Sequence, residues 1–237
     1  MAKKNILITG VSSGLGYALA ENYLRQGDEV YGISRRIPED LVASGLKHLA
    51  LDLSAGETIS HQFKDFIPFN EDWDVVYLNA GKLGEIRDLV DTPLKDLRET
   101  MEINVWANKW LLDGLFEISG KVHQIVAISS GASRSGARGW NGYGVSKAAL
   151  NMLIKLYAAE KEDTHFCAFA PGLVDTAMQD YLTGDLDAGK FPIVERLREA
   201  RGTEHMPTAE ICADKIIALL PALLKTESGS FQDIRKI

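Results

Sequence analysis

Residues 5–16 read NILITGVSSGLG, and this stretch decides the fold. Asn5 to Thr9 is a short apolar run of the kind found in a parallel strand buried on both faces. Gly10, Gly14 and Gly16 then fall in a turn. Beyond it, Leu15, Ala18, Leu19 and Tyr23 lie on one stripe of a helix, and Gly27 is placed to end it. Strand, glycine turn and helix form the setting a dinucleotide site requires. Glycine allows the tight turn and lets backbone approach a pyrophosphate. The helix N-terminus supplies unpaired N–H groups and a positive dipole end. The spacing is G-x-x-x-G-x-G, not G-x-G-x-x-G, so the turn by itself also fits an ordinary glycine-rich connection.

The alternation continues along the chain. Strands are expected near 5–9, 29–34, 47–51, 73–78, 122–129, 165–170 and 230–234. Helices are expected near 14–26, 57–67, 93–117, 143–161 and 208–225, with Thr92-Pro93 and Thr208 as helix starts. No repeat or low-complexity linker divides the 237 residues. The expectation is one α/β domain, 1–237, of the doubly wound Rossmann type. Its sheet should be mostly parallel, of about seven strands, with helices on both faces. Ligands bind such a sheet at its carboxyl edge, where the motifs below fall.

Tyr143 and Lys147 stand four apart in Y-G-V-S-K, with Ser130 upstream in I-V-A-I-S-S. Helical positions i and i+4 share a face. A phenol titrates near ~10, and a fixed cation beside it favours the phenolate. Such a pair can exchange a proton with an alcohol or carbonyl oxygen. Taken alone, the same spacing also describes a solvated helix face or a cation–π contact.

Together these segments resemble the short-chain dehydrogenase/reductase family over nearly the whole chain. Its cofactor motif T-G-x-x-x-G-x-G stands at Thr9 to Gly16, and its N-A-G motif at Asn79, Ala80 and Gly81. Its helix-borne asparagine matches Asn104, its serine Ser130, its tyrosine and lysine Tyr143 and Lys147. Its P-G motif and following threonine match Pro171, Gly172 and Thr176. The resemblance implies catalysis by Asn104, Ser130, Tyr143 and Lys147. Tyr143 would exchange the proton and Ser130 would bind the same oxygen, with Ser129 as the alternative serine. Lys147 would lower the tyrosine pKa and hold the nicotinamide ribose, and Asn104 would anchor a water. It further implies a cofactor site built from Gly10, Ser12, Ser13, Gly14, Leu15, Gly16, Asp52, Leu53, Asn79, Ala80, Gly81, Pro171, Gly172, Val174 and Thr176, besides Tyr143 and Lys147.

The end of the second strand bears on which cofactor. A carboxylate there suits a ribose 2′-hydroxyl, whereas arginine accommodates a 2′-phosphate. Here Ser34 takes the expected acidic position, followed by Arg35 and Arg36. NADP(H) is therefore preferred, with NAD(H) possible, since the glycine turn carries no Lys or Arg. The segment 177–207 is read as a substrate lid, with Met178, Tyr181, Leu182 and Phe191, and Gly184 and Gly189 as hinges. The 131–142 loop supplies the facing wall, with Trp140, Arg134 and Arg138. Trp140, Met178 and Tyr181 are the candidate substrate contacts. An apolar pocket suits a hydrophobic ketone, and the arginines an acidic substrate. The C-terminal G-S-F-Q-D-I-R leans toward small carbonyl reductases of the sepiapterin and benzil type.

Composition bounds the alternatives. A formal charge of −7 with no basic segment argues against nucleic-acid binding. No apolar run reaches the roughly 18 residues of a membrane span. M-A-K-K leads directly into the first strand without a signal peptide, so a cytoplasmic protein is expected. Cys167 and Cys212 read as reduced core residues. The five histidines are scattered, so no metal site is expected. Two other classes remain: an NAD-dependent sugar or cyclic-alcohol dehydrogenase, and a non-catalytic cofactor sensor on the same fold. A homodimer or homotetramer is also expected. Trp106, Trp110, Leu111, Leu115, Leu150, Leu153, Ile154 and Tyr157 make the two long helices apolar over more than one stripe.

Overall fold

A computed structural model describes residues 3–237. The chain alternates β1 (Asn5–Thr9), α1 (Gly14–Arg25), β2 (Glu29–Ser34), α2 (Glu39–Ala43), β3 (Lys47–Ala50), α3 (Thr58–Phe66) and β4 (Trp73–Leu78). Next come α4 (Leu94–Met101), a π-helical turn (Glu102–Trp106), α5 (Ala107–Ile118) and β5 (Val122–Ile128). The remainder is α6 (Ala132–Ser135), α7 (Asn141–Glu160), β6 (His165–Ala170), α8 (Ala177–Thr183), α9 (Ile193–Ala200), α10 (Ala209–Leu223) and β7 (Ser230–Asp233).

The strands form one seven-stranded sheet in the order β3-β2-β1-β4-β5-β6-β7. Every pairing is parallel. Strand alternation sorts the apolar side chains onto two faces. Ile6, Ile8, Tyr77, Val126 and Phe169 pack with α1 and α10 on one side. Leu7, Val76, Ile125 and Phe166 pack with α3, α5 and α7 on the other. Both faces are covered, which is why the strands read as continuous apolar runs. A third cluster gathers Leu83, Ile86, Leu182, Phe191, Val194, Leu197 and Met206 beyond the sheet edge.

The strands agree with the sequence reading to within a residue. The long helix expected at 93–117 is instead α4, the π-turn and α5 run together. Thr92 does not cap it, because its hydroxyl donates to Asp88 O (2.8 Å). The short helices α2, α6, α8 and α9 were not foreseen. Each of α2, α6 and α8 is seven residues or fewer, too short to show a 3.6 period. Cys167 and Cys212 are buried free thiols, both pushed up to about 12 by burial.

Of the eight apolar residues expected as surplus on the long helices, Trp106 alone is left exposed, and it is joined by others. Leu111, Leu115, Leu150, Ile154 and Tyr157 are buried in the parent core, with Trp110 and Leu153 packed against it. The stripe left outside is Trp106, Val145, Met152 and Leu156, about half exposed each.

Thr9 joins the two halves of the sheet. Its hydroxyl accepts from Asn79 N and Ala80 N, each at 2.9 Å. Asn79 Nδ2 donates back to Thr9 O (2.9 Å). Thr9→Val leaves two part-buried amides without their acceptor. It should lower stability by about 2–4 kcal/mol in urea unfolding.

Candidate active site

The carboxyl ends of β1, β2, β4, β5 and β6 open into a cleft of about 840 Å³. Its floor is the glycine turn. Gly10 has φ near +80°, and a Cβ there would lie 2.9 Å from Asn79 Nδ2. A Cβ on Gly16 would lie 2.3 Å from Gly10 O and 2.4 Å from Asn79 Nδ2. The turn can therefore close against β4 only with glycine at these two places. Ser12, Ser13, Gly14 and Leu15 line the cleft at the start of α1, whereas Gly16 lies beneath it. The cradle has the backbone donors and clearance that a dinucleotide pyrophosphate needs.

Around this floor the structure gathers Ser34, Arg35, Arg36, Asp52, Leu53, Asn79, Ala80, Gly81, Pro171, Gly172, Val174 and Thr176. Asp52 is fixed by Ser54 N and Oγ (2.9 Å each), and these bonds hold its carboxyl below the usual range, aided by Arg35. Arg35 and Arg36 are exposed, and among the described residues neither enters an ion pair. No carboxylate stands in the acidic position, since Ser34 fills it.

At the other end lie Ser130, Tyr143 and Lys147. Lys147 is 3% exposed. Its Nζ donates to Ile128 O (2.7 Å) and sits 5.8 Å from the Tyr143 ring centroid. Burial brings its ammonium down to about 8. Burial also raises the Tyr143 phenol, and a hydrogen bond with Ser130 works the other way. The sequence reading had Lys147 lower the tyrosine. In the protein without a ligand, removal from water dominates the phenol, and the nearest compensation comes from Ser130. The two serines are also distinguished: Ser129 Oγ is turned to Asn151 Oδ1 (2.5 Å), while Ser130 meets Tyr143.

Asn104 does not line the cleft. It lies under it in the π-turn, fully buried. Its Oδ1 accepts from Lys82 N (2.7 Å), and its Nδ2 donates to Lys82 O and Ser146 Oγ (2.9 Å each). Its own carbonyl accepts from Asn108 Nδ2 (2.9 Å). The water-anchoring role implied for it meets a side chain already committed to holding the Gly81–Lys82 backbone. A Cβ on Gly81 would come within 3.4 Å of Lys147 Nζ.

The substrate candidates divide. Trp140 lines the cleft, its ring centroid 5.7 Å from that of Tyr143, and Met178 joins it. Tyr181 does not. Its hydroxyl accepts from Ile86 N (3.1 Å). Residues 178 and 181 are three apart in the seven-residue α8, yet of the two only Met178 lines the cleft. Arg138 is also taken, forming two bonds to Asp88 (2.6 and 2.7 Å). Arg134 lies over the Phe231 ring. Sequence reasoning missed Leu83, Leu173 and Leu197 in the apolar wall, because nothing in their spacing separates cleft from core.

The strand order and the glycine turn after β1 define a Rossmann-type dinucleotide fold. A family model for short chain dehydrogenases matches residues 4–187, and the chain belongs to the short-chain dehydrogenase/reductase family of oxidoreductases. It is 30% identical to a benzil reductase ((S)-benzoin forming) of Bacillus subtilis, over 97% of this chain and 98% of that protein. It is also 30% identical to a benzil reductase ((S)-benzoin forming) of Bacillus cereus, over 73% of this chain and 77% of that one. Among solved structures, the KRED1-Pglu enzyme superposes with a TM-score of 0.82 at 23% identity, covering 97% of this chain and all of that one. A short-chain dehydrogenase/reductase of Saccharomyces cerevisiae gives 0.82 at 22% identity, covering 98% and 96%. Among the described residues no helix is long and apolar enough to cross a membrane. No acidic, cysteine or histidine cluster among them could hold a metal ion.

Lys147 is held charged in a dry place, its pKa moved from an ordinary 10.5 to about 8. A lowered lysine pKa is a stability penalty present in full below about 8 and lost as pH rises toward 10.5. Lys147→Met should therefore raise stability at neutral pH by about 1–3 kcal/mol. The gain should shrink above pH 8, as read by chemical unfolding across pH.

Proposed function

We propose that the protein is an NADP(H)-dependent carbonyl reductase of apolar ketones, with Tyr143 as the proton donor. The observation that carries this reading is a single cleft that holds Tyr143, Ser130 and Lys147 at one end and Ser34-Arg35-Arg36 at the other. A bound nicotinamide would supply or accept the hydride.

The chain's own residues account for the rest. Tyr143 is a phenol at neutral pH, since burial holds it above its ordinary value. It can give its proton to a carbonyl oxygen as negative charge develops there. The Ser130 hydroxyl, beside it, donates to the same oxygen and fixes its place. The Lys147 ammonium stabilises the phenolate once the proton has left, and the resemblance gives it the ribose hydroxyls as well. Asn104 is a positioning residue, holding Lys82 and Ser146 beside it.

Leu83, Trp140, Leu173, Met178, Leu182 and Leu197 form the wall near Tyr143, and support an apolar ketone. The NAD-dependent sugar dehydrogenase reading would have to draw on Lys82, Glu99 and Gln179, among the polar side chains that also line the cleft. An acidic substrate would need Arg138, which Asp88 already occupies. The benzil reductase relatives favour an aryl ketone or diketone. The 177–207 segment would act as the lid of one domain spanning 1–237. Tyr143 and Lys147 are both present, which weighs against a non-catalytic sensor.

Tyr143→Phe should lower ketone reduction at least about a hundredfold and leave NADPH binding within about twofold. Activity above a tenth of wild type would remove Tyr143 from its role. Arg35→Asp with Arg36→Ala should turn an NADPH preference toward NADH, because the 2′-phosphate loses its countercharge. Steady-state rates with both cofactors and an aryl diketone test this. A wild type that uses both equally well would contradict it. The stripe of Trp106, Val145, Met152 and Leu156 should be buried between copies of the chain in a dimer or tetramer. Light scattering should give a multiple of 26.1 kDa, and Trp106→Glu with Met152→Glu should reduce it to one chain.

A further inference from the structure

The arginine end of the cleft has a second layer behind it. Ser34 closes β2, and its hydroxyl donates to Arg36 O (2.7 Å). A hydroxyl has one hydrogen, so its other contact must reach it as a donor. That contact is His48 Nε2 at 2.9 Å. The neutral imidazole therefore carries its hydrogen on Nε2. His48 sits in β3, level with Gly32 of β2, and shares a sheet face with Ser34 two residues on. It is half-buried and does not line the cleft. The chain of contacts from imidazole to Ser34 Oγ to Arg36 O is thus its connection to the cofactor site.

We infer that His48 is a positioning residue for recognition of the cofactor's 2′-phosphate, holding the Ser34 oxygen in place and gaining a proton when that phosphate is bound. The inference rests on the NADP(H) reading. Because His48 satisfies the Ser34 oxygen, the Ser34 hydrogen can turn from Arg36 O to a phosphate oxygen without leaving Oγ unpaired. A donor behind the hydroxyl also polarises it, which strengthens the bond it gives. A dianion arriving one residue away favours an imidazolium over a neutral ring. Burial holds His48 below its ordinary value, with Glu39 acting weakly against that, so the free protein has a neutral ring ready to take up the proton. The charged groups on neighbouring elements are Glu39 and Asp40 of α2, Arg35 and Arg36 after β2, and Asp52 after β3. Asp40 is engaged by the Tyr17 hydroxyl and Asp52 by Ser54, and the two arginines oppose the proton until a phosphate faces them.

The test reads the imidazole directly. The His48 ring protons are followed by NMR against pH, assigned by their absence in His48→Gln, with NADP⁺, with NAD⁺ and with neither. The titration should move up by about one unit or more with NADP⁺ and stay in place with NAD⁺. Calorimetry supplies the second reading. His48→Ala should weaken NADP⁺ about fivefold or more and NAD⁺ less than twofold. His48→Gln can donate the same hydrogen bond, so it should keep NADP⁺ affinity near pH 8. It should lose the extra tightening that wild type gains toward pH 6. Since the phosphate's own ionisation is common to both proteins, the difference belongs to the ring. A His48 titration unmoved by NADP⁺, or equal losses for both cofactors in His48→Ala, overturns the inference. Wild type that binds both cofactors equally removes the NADP(H) reading itself. A preference that Arg35→Asp reverses but His48→Ala leaves unchanged removes the inference alone.

Discussion

The structure around the cleft is organised by the need to keep one ammonium dry and charged. Lys147 lies on α7 with its Nζ against Ile128 O, at the last residue of β5. A buried cation without partners would lose its proton or unfold its surroundings. Here burial brings the ammonium down to about 8, and its Nζ donates to the strand-end carbonyl of Ile128. The neighbouring arrangement follows from that placement. A Cβ on Gly81 would make tight contacts with both Asn104 Oδ1 (3.3 Å) and Lys147 Nζ (3.4 Å). Asn104, buried in the π-turn, holds the adjoining backbone at Lys82 through both its N–H and its carbonyl. Ser146 links Asn104 to the carbonyl of Tyr143, so the same set of contacts fixes the phenol.

Much of this was legible in the sequence, and for identifiable reasons. Residues 5–9, 73–78 and 165–170 are apolar on both faces, and the strands lie there to the residue. Gly10 and Gly16 announce a close approach, and the structure puts Asn79 where their side chains would be. Whatever depends on side-chain direction was less legible. The sequence can number Met178 and Tyr181 as neighbours on a helix. It cannot say that one enters the cleft while the other meets Ile86 N. Of the apolar residues counted as surplus on the long helices, Leu111 and Ile154 proved to be core, and Val145 and Met152 join Trp106 as the remainder. Periodicity counts faces without assigning them to a partner. The contacts of Asn104 were not legible either: it lies in a π-turn that no residue pattern marks, and its side chain bonds Lys82 and Ser146.

The pKa values of the site carry a second lesson about mechanism. The sequence reading treated the tyrosine and lysine as a pair in which the cation sets the phenol. The structure separates them, because the ammonium bonds a backbone carbonyl and both groups are shifted first by burial. Desolvation raises a phenol and lowers an ammonium, so the lysine, ordinarily the weaker acid of the two, ends below the tyrosine. In the proposed reduction the phenol would enter protonated beside Ser130, the form that burial favours.

The two ends of the cleft solve opposite electrostatic problems. At the Tyr143 end the phenol and the Lys147 ammonium are withdrawn from water beside Ser130. At the arginine end Arg35 and Arg36 stay exposed, where screening weakens each contact. A flexible, solvated arginine pair can attract a phosphate but cannot by itself fix where the phosphate sits. Ser34 is the buried element there, with its oxygen held between β3 and the Arg36 carbonyl. On the proposed NADP(H) reading, discrimination between cofactors that differ by one phosphate would depend on the buried hydroxyl as much as on the exposed charges. The rigidity of that hydroxyl comes from a strand that does not itself reach the cleft at this point.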